Sequence, residues 1–283
     1  MPRALAMLAL AATMATVAPA QARQTAGAPP PSPAAVAPEA VAAPVLAPDA
    51  VTAITAQPCA PPPNAPADWA ALCRYHDANR ALATPPRVVL IGDSITEGWI
   101  STDPALFTAD VVDRGVSGQT SVQIMARFYQ DVVRLHPRVV HILCGTNDIA
   151  GNTGPTSPDA FANAVLAMVD MARANHIAVV LGSIPPAGAF GWRPGFRPAT
   201  QITAFNQWLR DLARQRGLVY ADYHSAMADA ADAMKPWLSS DGVHPNAAGY
   251  ALMLPIARAA IAEAEAPAPI AARQDFRPPV RRR

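Results

Sequence analysis

Between residues 87 and 221 the chain repeats one pattern: a short apolar run rich in β-branched residues, a polar turn, then a segment with helical spacing. The runs are Arg87–Ile91, Val111–Val112, Pro137–Cys144, Ile177–Gly182 and Leu218–Ala221. Runs that are apolar throughout belong to strands buried on both faces, and strands separated by helices of about 15 residues cross over and pair in parallel. The pattern predicts an α/β fold, a three-layer α/β/α sandwich around a five-stranded parallel, flavodoxin-like sheet. Helices are expected over Asp68–Leu82, Ser121–Leu135, Pro158–Asn175 with Ser157 as cap, Pro198–Arg216 closed by Gly217, and from Asn246 to about Glu263.

Loops that leave the carboxyl ends of such strands share one edge of the sheet, where open α/β folds keep their sites. The first run stops at Gly92-Asp93-Ser94 and delivers Ser94 to that edge as a candidate nucleophile. The same three residue types also serve any strand-to-helix turn. The second run opens into a glycine-rich loop, Asp113–Thr120, and the third ends in Gly145-Thr146-Asn147-Asp148. Before the last helix stands Asp241-Gly242-Val243-His244-Pro245. Within one turn the Asp241 carboxylate can meet one ring nitrogen of His244 and leave the other facing outward, as a base of fixed tautomer requires. A loop cap beside a surface histidine has the same sequence. His76, His136, His141, His176 and His224 lack a carboxylate at such a spacing.

Acyl transfer also needs N–H donors aimed at the developing oxyanion. The backbone N–H groups of Ser94 and Gly118 and the side-chain amide of Asn147 are on offer, with a plain turn glycine and an Asx turn as the alternatives for the last two.

Together these blocks, Gly92-Asp93-Ser94-Ile95, Gly118 in its loop, Gly145-Thr146-Asn147-Asp148 and Asp241-Gly242-Val243-His244-Pro245, resemble the four signature blocks of the SGNH (GDSL-type) hydrolase superfamily, in order, over residues 87–262. The resemblance implies a serine esterase with Ser94 as nucleophile, Asp241 and His244 completing the triad, and Ser94, Gly118 and Asn147 forming the oxyanion hole. It implies no cofactor. No metal is expected either, since Cys59, Cys73 and Cys144 lack the spacing of a zinc site.

Composition divides the chain. Of its 31 prolines, fourteen precede residue 67 and four follow residue 265. Residues 1–22 read as a signal peptide, with Arg3 before an apolar run and small residues at the cleavage site; an uncleaved anchor shares that pattern. Residues 23–66 read as an Ala/Pro-rich disordered linker, 67–265 as the hydrolase domain, and 266–283 as a basic disordered tail. The tail carries a net +4 and residues 1–66 sum to zero, leaving the domain near −3 of the overall +1. That balance argues against nucleic acid as a partner. No run beyond the leader reads as a membrane span. The protein is expected to be exported, periplasmic or secreted, and its oligomeric state is left open. In an oxidising compartment Cys59 and Cys73 would bridge, while Cys144 reads as a small core hydrophobe.

The loop Pro185–Phe196 leaves the fourth run at the same edge. Phe190, Trp192 and Phe196 could stack on a sugar or line an acyl slot, Arg193 could meet an anionic group, and Trp99 raises the same question; an aromatic plug over the core is the alternative. Export favours a small-molecule or glycan ester, above all acetyl esters on carbohydrate. A lysophospholipase or other lipid acyl esterase is the alternative within enzymes, and a non-catalytic carbohydrate-binding module the alternative outside them.

Overall fold

The computed structural model describes Cys59 and residues 68–154 and 156–266. The expected signal peptide, the linker apart from Cys59, and the tail beyond residue 266 lie outside the described residues.

Five strands, β1 (Val88–Gly92), β2 (Val111–Gly115), β3 (Val139–Leu143), β4 (Ala178–Gly182) and β5 (Val219–Ala221), form one sheet in the order β2-β1-β3-β4-β5. Every neighbouring pair is parallel. This is the expected flavodoxin-like order. The chain runs outward from β1 to β2 and then returns to β3 on the other side of β1, so the crevice where strand order reverses opens at the carboxyl ends of β1 and β3. Gly92 at the end of β1 is in register with Gly115 and with Leu143, so the three following loops leave the sheet level with one another.

Eight α-helices are described: α1 (His76–Arg80), α2 (Ser94–Thr102), α3 (Ser121–Asp131), α4 (Thr146–Ala150), α5 (Pro158–Ala174), α6 (Ala199–Arg216), α7 (Tyr223–Met227) and α8 (Ala247–Glu265). The pleat sends alternate β1 residues to opposite faces. Val89 and Ile91 pack with Ile124, Phe128, Val165 and Met168 on one side. Val88 and Leu90 pack with Ile95, Trp99, Tyr250 and Met253 on the other. Two apolar layers thus sandwich the sheet.

Three expectations need correction. The helix anticipated over 68–82 is reduced to α1, because the Asp68 carboxylate accepts the N–H groups of Leu72 and Cys73, each at 2.8 Å, and Ala71 adopts a φ of +53°. Cys73 is bridged there to Cys59. This leading segment is laced to α3 and its preceding loop: Gln123, Gln119 and Gln130 donate side-chain N–H groups to the carbonyls of Trp69, Ala70 and Leu72. The helix anticipated over 121–135 stops at Asp131, with a separate 3-10 turn over Val133–Leu135. Finally, α8 has the length and apolar composition to cross a membrane, which the sequence reading did not credit. Its Tyr250, Met253, Ala257 and Ile261 are buried in the core with strand residues Val88, Leu90 and Val180.

Candidate active site

Ser94 is the first residue of α2, half-buried, with Asp93 as the N-cap whose carboxylate accepts the Ile95 N–H at 2.9 Å. A helix start leaves its first N–H groups unpaired and carries partial positive charge, so the serine is delivered together with a backbone donor. Its Oγ lies 2.9 Å from His244 Nε2. On the far side of the ring, His244 Nδ1 lies 2.7 Å from Asp241 Oδ2. Asp241 Oδ1 accepts the N–H groups of Val243 and His244 at 2.9 and 2.8 Å, and the Ser239 hydroxyl at 3.0 Å. Partial burial pushes the Asp241 carboxyl upward, but the His244 side chain and backbone, the Val243 N–H and the Ser239 hydroxyl outweigh it and hold it well below the usual carboxylate range. A carboxylate that stays ionised keeps the proton on Nδ1 and turns the Nε2 lone pair toward Ser94 Oγ. Such an arrangement can draw a proton from the serine as it attacks.

The oxyanion candidates come from the neighbouring loops. Gly118 has a φ of +79° and a Cβ built on it would meet nothing within 4 Å, so its backbone faces open space in a conformation that side chains resist. Asn147, in the first turn of α4, is buried, and its Nδ2 donates to Gln119 O at 3.0 Å and to Asp93 Oδ2 at 3.3 Å. It therefore sits between the residue before Ser94 and the residue after Gly118. Burial pushes the Asp93 carboxyl up to about 7, against the Ile95 N–H that favours its charged form.

Of the expected substrate residues, Trp99 and Phe190 are corrected to core. Trp99 is 0% exposed, stacked on Tyr250 with ring centroids 5.4 Å apart, and Phe190 is 1% exposed. Phe190 does plug the core, with Trp192 stacked upon it at 5.0 Å. Trp192 is 48% exposed, and its ring centroid lies 6.4 Å from that of His244. Arg193 does not wait for an anion: its Nη1 donates to the carbonyls of Ile149 and Ala150 at 3.1 and 2.9 Å, closing the end of α4, and its guanidinium lies 4.0 Å from the Phe196 ring centroid. Among the other histidines, His76 does meet a carboxylate, Asp77 Oδ1 at 2.9 Å, though on the exposed face of α1. His141 is fully buried with Nε2 2.8 Å from Tyr223 OH, and burial lowers its pKa to about 4. Among the described residues no group of three or more His, Cys, Asp or Glu side chains could hold a metal ion.

The sequence profile of the GDSL-like lipase/acylhydrolase family matches residues 90–252, from β1 into α8 and more than half of the chain. The chain belongs to this family. A solved structure from Bacteroides fragilis, assigned as an acylhydrolase, is 40% identical with a TM-score of 0.68, covering 70% of this chain and 99% of that one. A GDSL-like lipase from Bacteroides thetaiotaomicron is 39% identical with a TM-score of 0.67, covering 69% and 98%. A multidomain esterase of Ruminococcus flavefaciens is 30% identical over 128 residues, 43% of this chain and 15% of that longer protein. The GDSL-like domain is a carboxylic ester hydrolase of the SGNH superfamily.

Sequence reading missed several residues that hold this GDSL-like site in shape. Arg127 is fully buried beneath it and donates to Gly92 O at 3.0 Å, Gln119 Oε1 at 2.6 Å, Arg114 O at 2.8 Å and Asp131 Oδ2 at 3.1 Å. Its signal was a charged pair at i, i+4 on the apolar stripe of Ile124 and Phe128. Asp148 accepts the Ser121 N–H and hydroxyl at 2.9 and 2.5 Å and so ties α4 to the start of α3. Glu97 accepts the Ser117 N–H at 2.8 Å and binds Arg74, steadying the Gly118 loop. Asn152 bridges Asn147 and Trp192.

Proposed function

We propose that the protein is an exported serine esterase that removes short acyl groups, above all acetyl, from carbohydrate. The observation that carries this reading is the unbroken chain Ser94 Oγ to His244 to Asp241 with the half-exposed Trp192 indole beside the histidine ring. Ser94 Oγ attacks the ester carbonyl while His244 Nε2 takes its proton. The carbonyl oxygen, now an oxyanion, is met by the N–H groups of Ser94 and Gly118 and by Asn147 Nδ2, which gives up or shares its 3.3 Å contact with Asp93. His244 returns the proton to the departing alkoxide as the carbon–oxygen bond breaks, leaving an acyl-enzyme. Water, deprotonated by the same nitrogen, adds to the acyl carbon, and the acyl–Oγ bond breaks as His244 returns the proton to Ser94, releasing the acid.

An indole face beside the base suits a pyranose ring as the alcohol half of the ester. Phe190 and Trp99, which a long acyl chain could otherwise line, are withdrawn into the core. The Cys59–Cys73 bridge supports an oxidising compartment. The test is covalent labelling of Ser94 by a fluorophosphonate, followed by an acyl-length series of p-nitrophenyl esters beside acetylated xylan. Labelling with preference for acetyl and release of acetate from the glycan is expected. A preference for long chains would overturn the acetyl reading in favour of lipid esters, and absence of labelling would overturn the enzyme mechanism.

A further inference from the structure

Asn147 carries the one side-chain donor assigned to the oxyanion, and a carboxamide serves that role only if its nitrogen end faces the reacting atoms. The Gln119 carbonyl and Asp93 set this orientation from the nitrogen end. The longer of the two, to Asp93, is the one disturbed when Nδ2 meets an oxyanion. At the other end, Asn147 Oδ1 accepts a hydrogen bond from Asn152 Nδ2, a contact the reaction leaves intact. The backbone enforces the pairing. Gly151 follows α4 with a φ of +68°, turning the chain back so that the Asn152 N–H also donates to Asn147 O at 3.1 Å. Asn152 then uses its Oδ1 to accept the Trp192 Nε1–H at 3.0 Å. Each bond identifies the same orientation of the Asn152 amide, donor toward Asn147 and acceptor toward the indole.

We propose that Asn152 is a positioning residue, whose side chain fixes and polarises the Asn147 carboxamide at its oxygen end and holds the Trp192 indole in register with it. A hydrogen bond donated to Oδ1 draws electron density from Nδ2–H and strengthens it as a donor. The same amide tethers the exposed ring that stands beside His244, so the wall that meets the substrate's alcohol half and the donor that meets its carbonyl oxygen are set by one side chain. Arg193, pinned to the carbonyls of Ile149 and Ala150, anchors the loop that presents the ring.

This rests on the reading of Asn147 as an oxyanion donor, and the experiment separates the two. Asn152 is exposed, so its variants are expected to fold, which a melting curve checks. Asn152→Asp keeps an acceptor for Trp192 but sets a second acceptor against Asn147 Oδ1. It should lower kcat on p-nitrophenyl acetate by about 10-fold or more with KM little changed. Trp192→Phe keeps a ring but loses the tethering N–H, and should raise KM for an acetylated xylo-oligosaccharide several-fold. Asn147→Ala should lower kcat by about 10²-fold or more, and adding Asn152→Asp to it should cost nothing further, whereas a merely structural role for Asn152 would still show in that background. If Asn147→Ala is damaging but Asn152→Asp retains wild-type kcat, or if the two losses multiply, the positioning role is wrong. If Asn147→Ala is itself harmless, the oxyanion reading fails and the proposal with it. A Trp192→Phe variant with wild-type KM removes the tether.

Discussion

Asp241 holds His244 at two points at once, accepting its ring Nδ1–H at 2.7 Å and its backbone N–H at 2.8 Å. The carboxylate therefore sets both the tautomer of the ring and the path of the loop that carries it. Asp241→Asn should leave the fold in place yet lower kcat/KM for p-nitrophenyl acetate by about 10³- to 10⁴-fold, because an amide facing Nδ1 no longer enforces the productive tautomer. The Asp241 carboxylate stays ionised far into acid, so its own protonation should not be what limits the rate as pH falls. A loss smaller than about tenfold in the variant would detach Asp241 from the mechanism.

Ser94→Ala removes the attacking oxygen and should reduce hydrolysis by about 10³-fold or more while leaving thermal stability close to wild type. Near-normal turnover in this variant would refute the nucleophile assignment.

Arg127 and Asp131 form a fully buried pair whose guanidinium also ties Gly92 and Gln119 to the floor of the site. Arg127→Met leaves a buried carboxylate with the Asn79 amide, at 2.7 Å, as its remaining described hydrogen-bond donor and Arg114 as the nearby cation. Urea unfolding should show a loss of about 3–5 kcal/mol. Replacing Asp131 by Leu in the same chain should return much of it. A loss below about 1 kcal/mol in the single variant would mean that the guanidinium is dispensable.

Two buried groups should tilt stability in opposite directions with pH. Asp93, pushed up to about 7, binds its proton more tightly folded than unfolded, so its contribution is lost as pH rises from about 4 to about 7. His141, lowered to about 4, resists its proton when folded, so its contribution is lost as pH falls from about 6.5 toward about 4. Measured by urea unfolding, the stability of Asp93→Asn relative to wild type should climb with pH across that window. That of His141→Asn should climb as pH falls. Parallel curves for variant and wild type would show that neither group titrates differently on folding.

The sheet was legible because its signals are local: an apolar run such as Val139–Leu143 needs no partner to declare itself, and Ser157, Asn246 and Gly217 cap their helices as their chemistry demands. The reacting groups were legible because their spacing is local too, Asp241 and His244 lying three residues apart. What was lost depended on tertiary partners. The Asp68 side chain competes for the N–H groups that a helix over 68–82 would need, and α4 and α7 are only five residues long, too short for a periodic pattern. Phe190 and Trp192 stand two residues apart in one loop, and only the packing tells which faces inward. Arg127 was passed over because a charge amid apolar positions acquires its meaning from the carbonyls it finds.

The three glutamines that reach back to the carbonyls of Trp69, Ala70 and Leu72 alter what counts as the smallest transplantable form of this esterase. A chain trimmed to Arg87, just before β1, would keep every strand and the whole Ser94 cluster. It would also strip acceptors from three side-chain amides, each left to find water or remain unmatched at about 1–3 kcal/mol if buried. One of these belongs to Gln119, whose own carbonyl receives the Asn147 amide. A working graft of the domain should therefore begin no later than Asp68, although that leading segment contributes no atom to the chemistry.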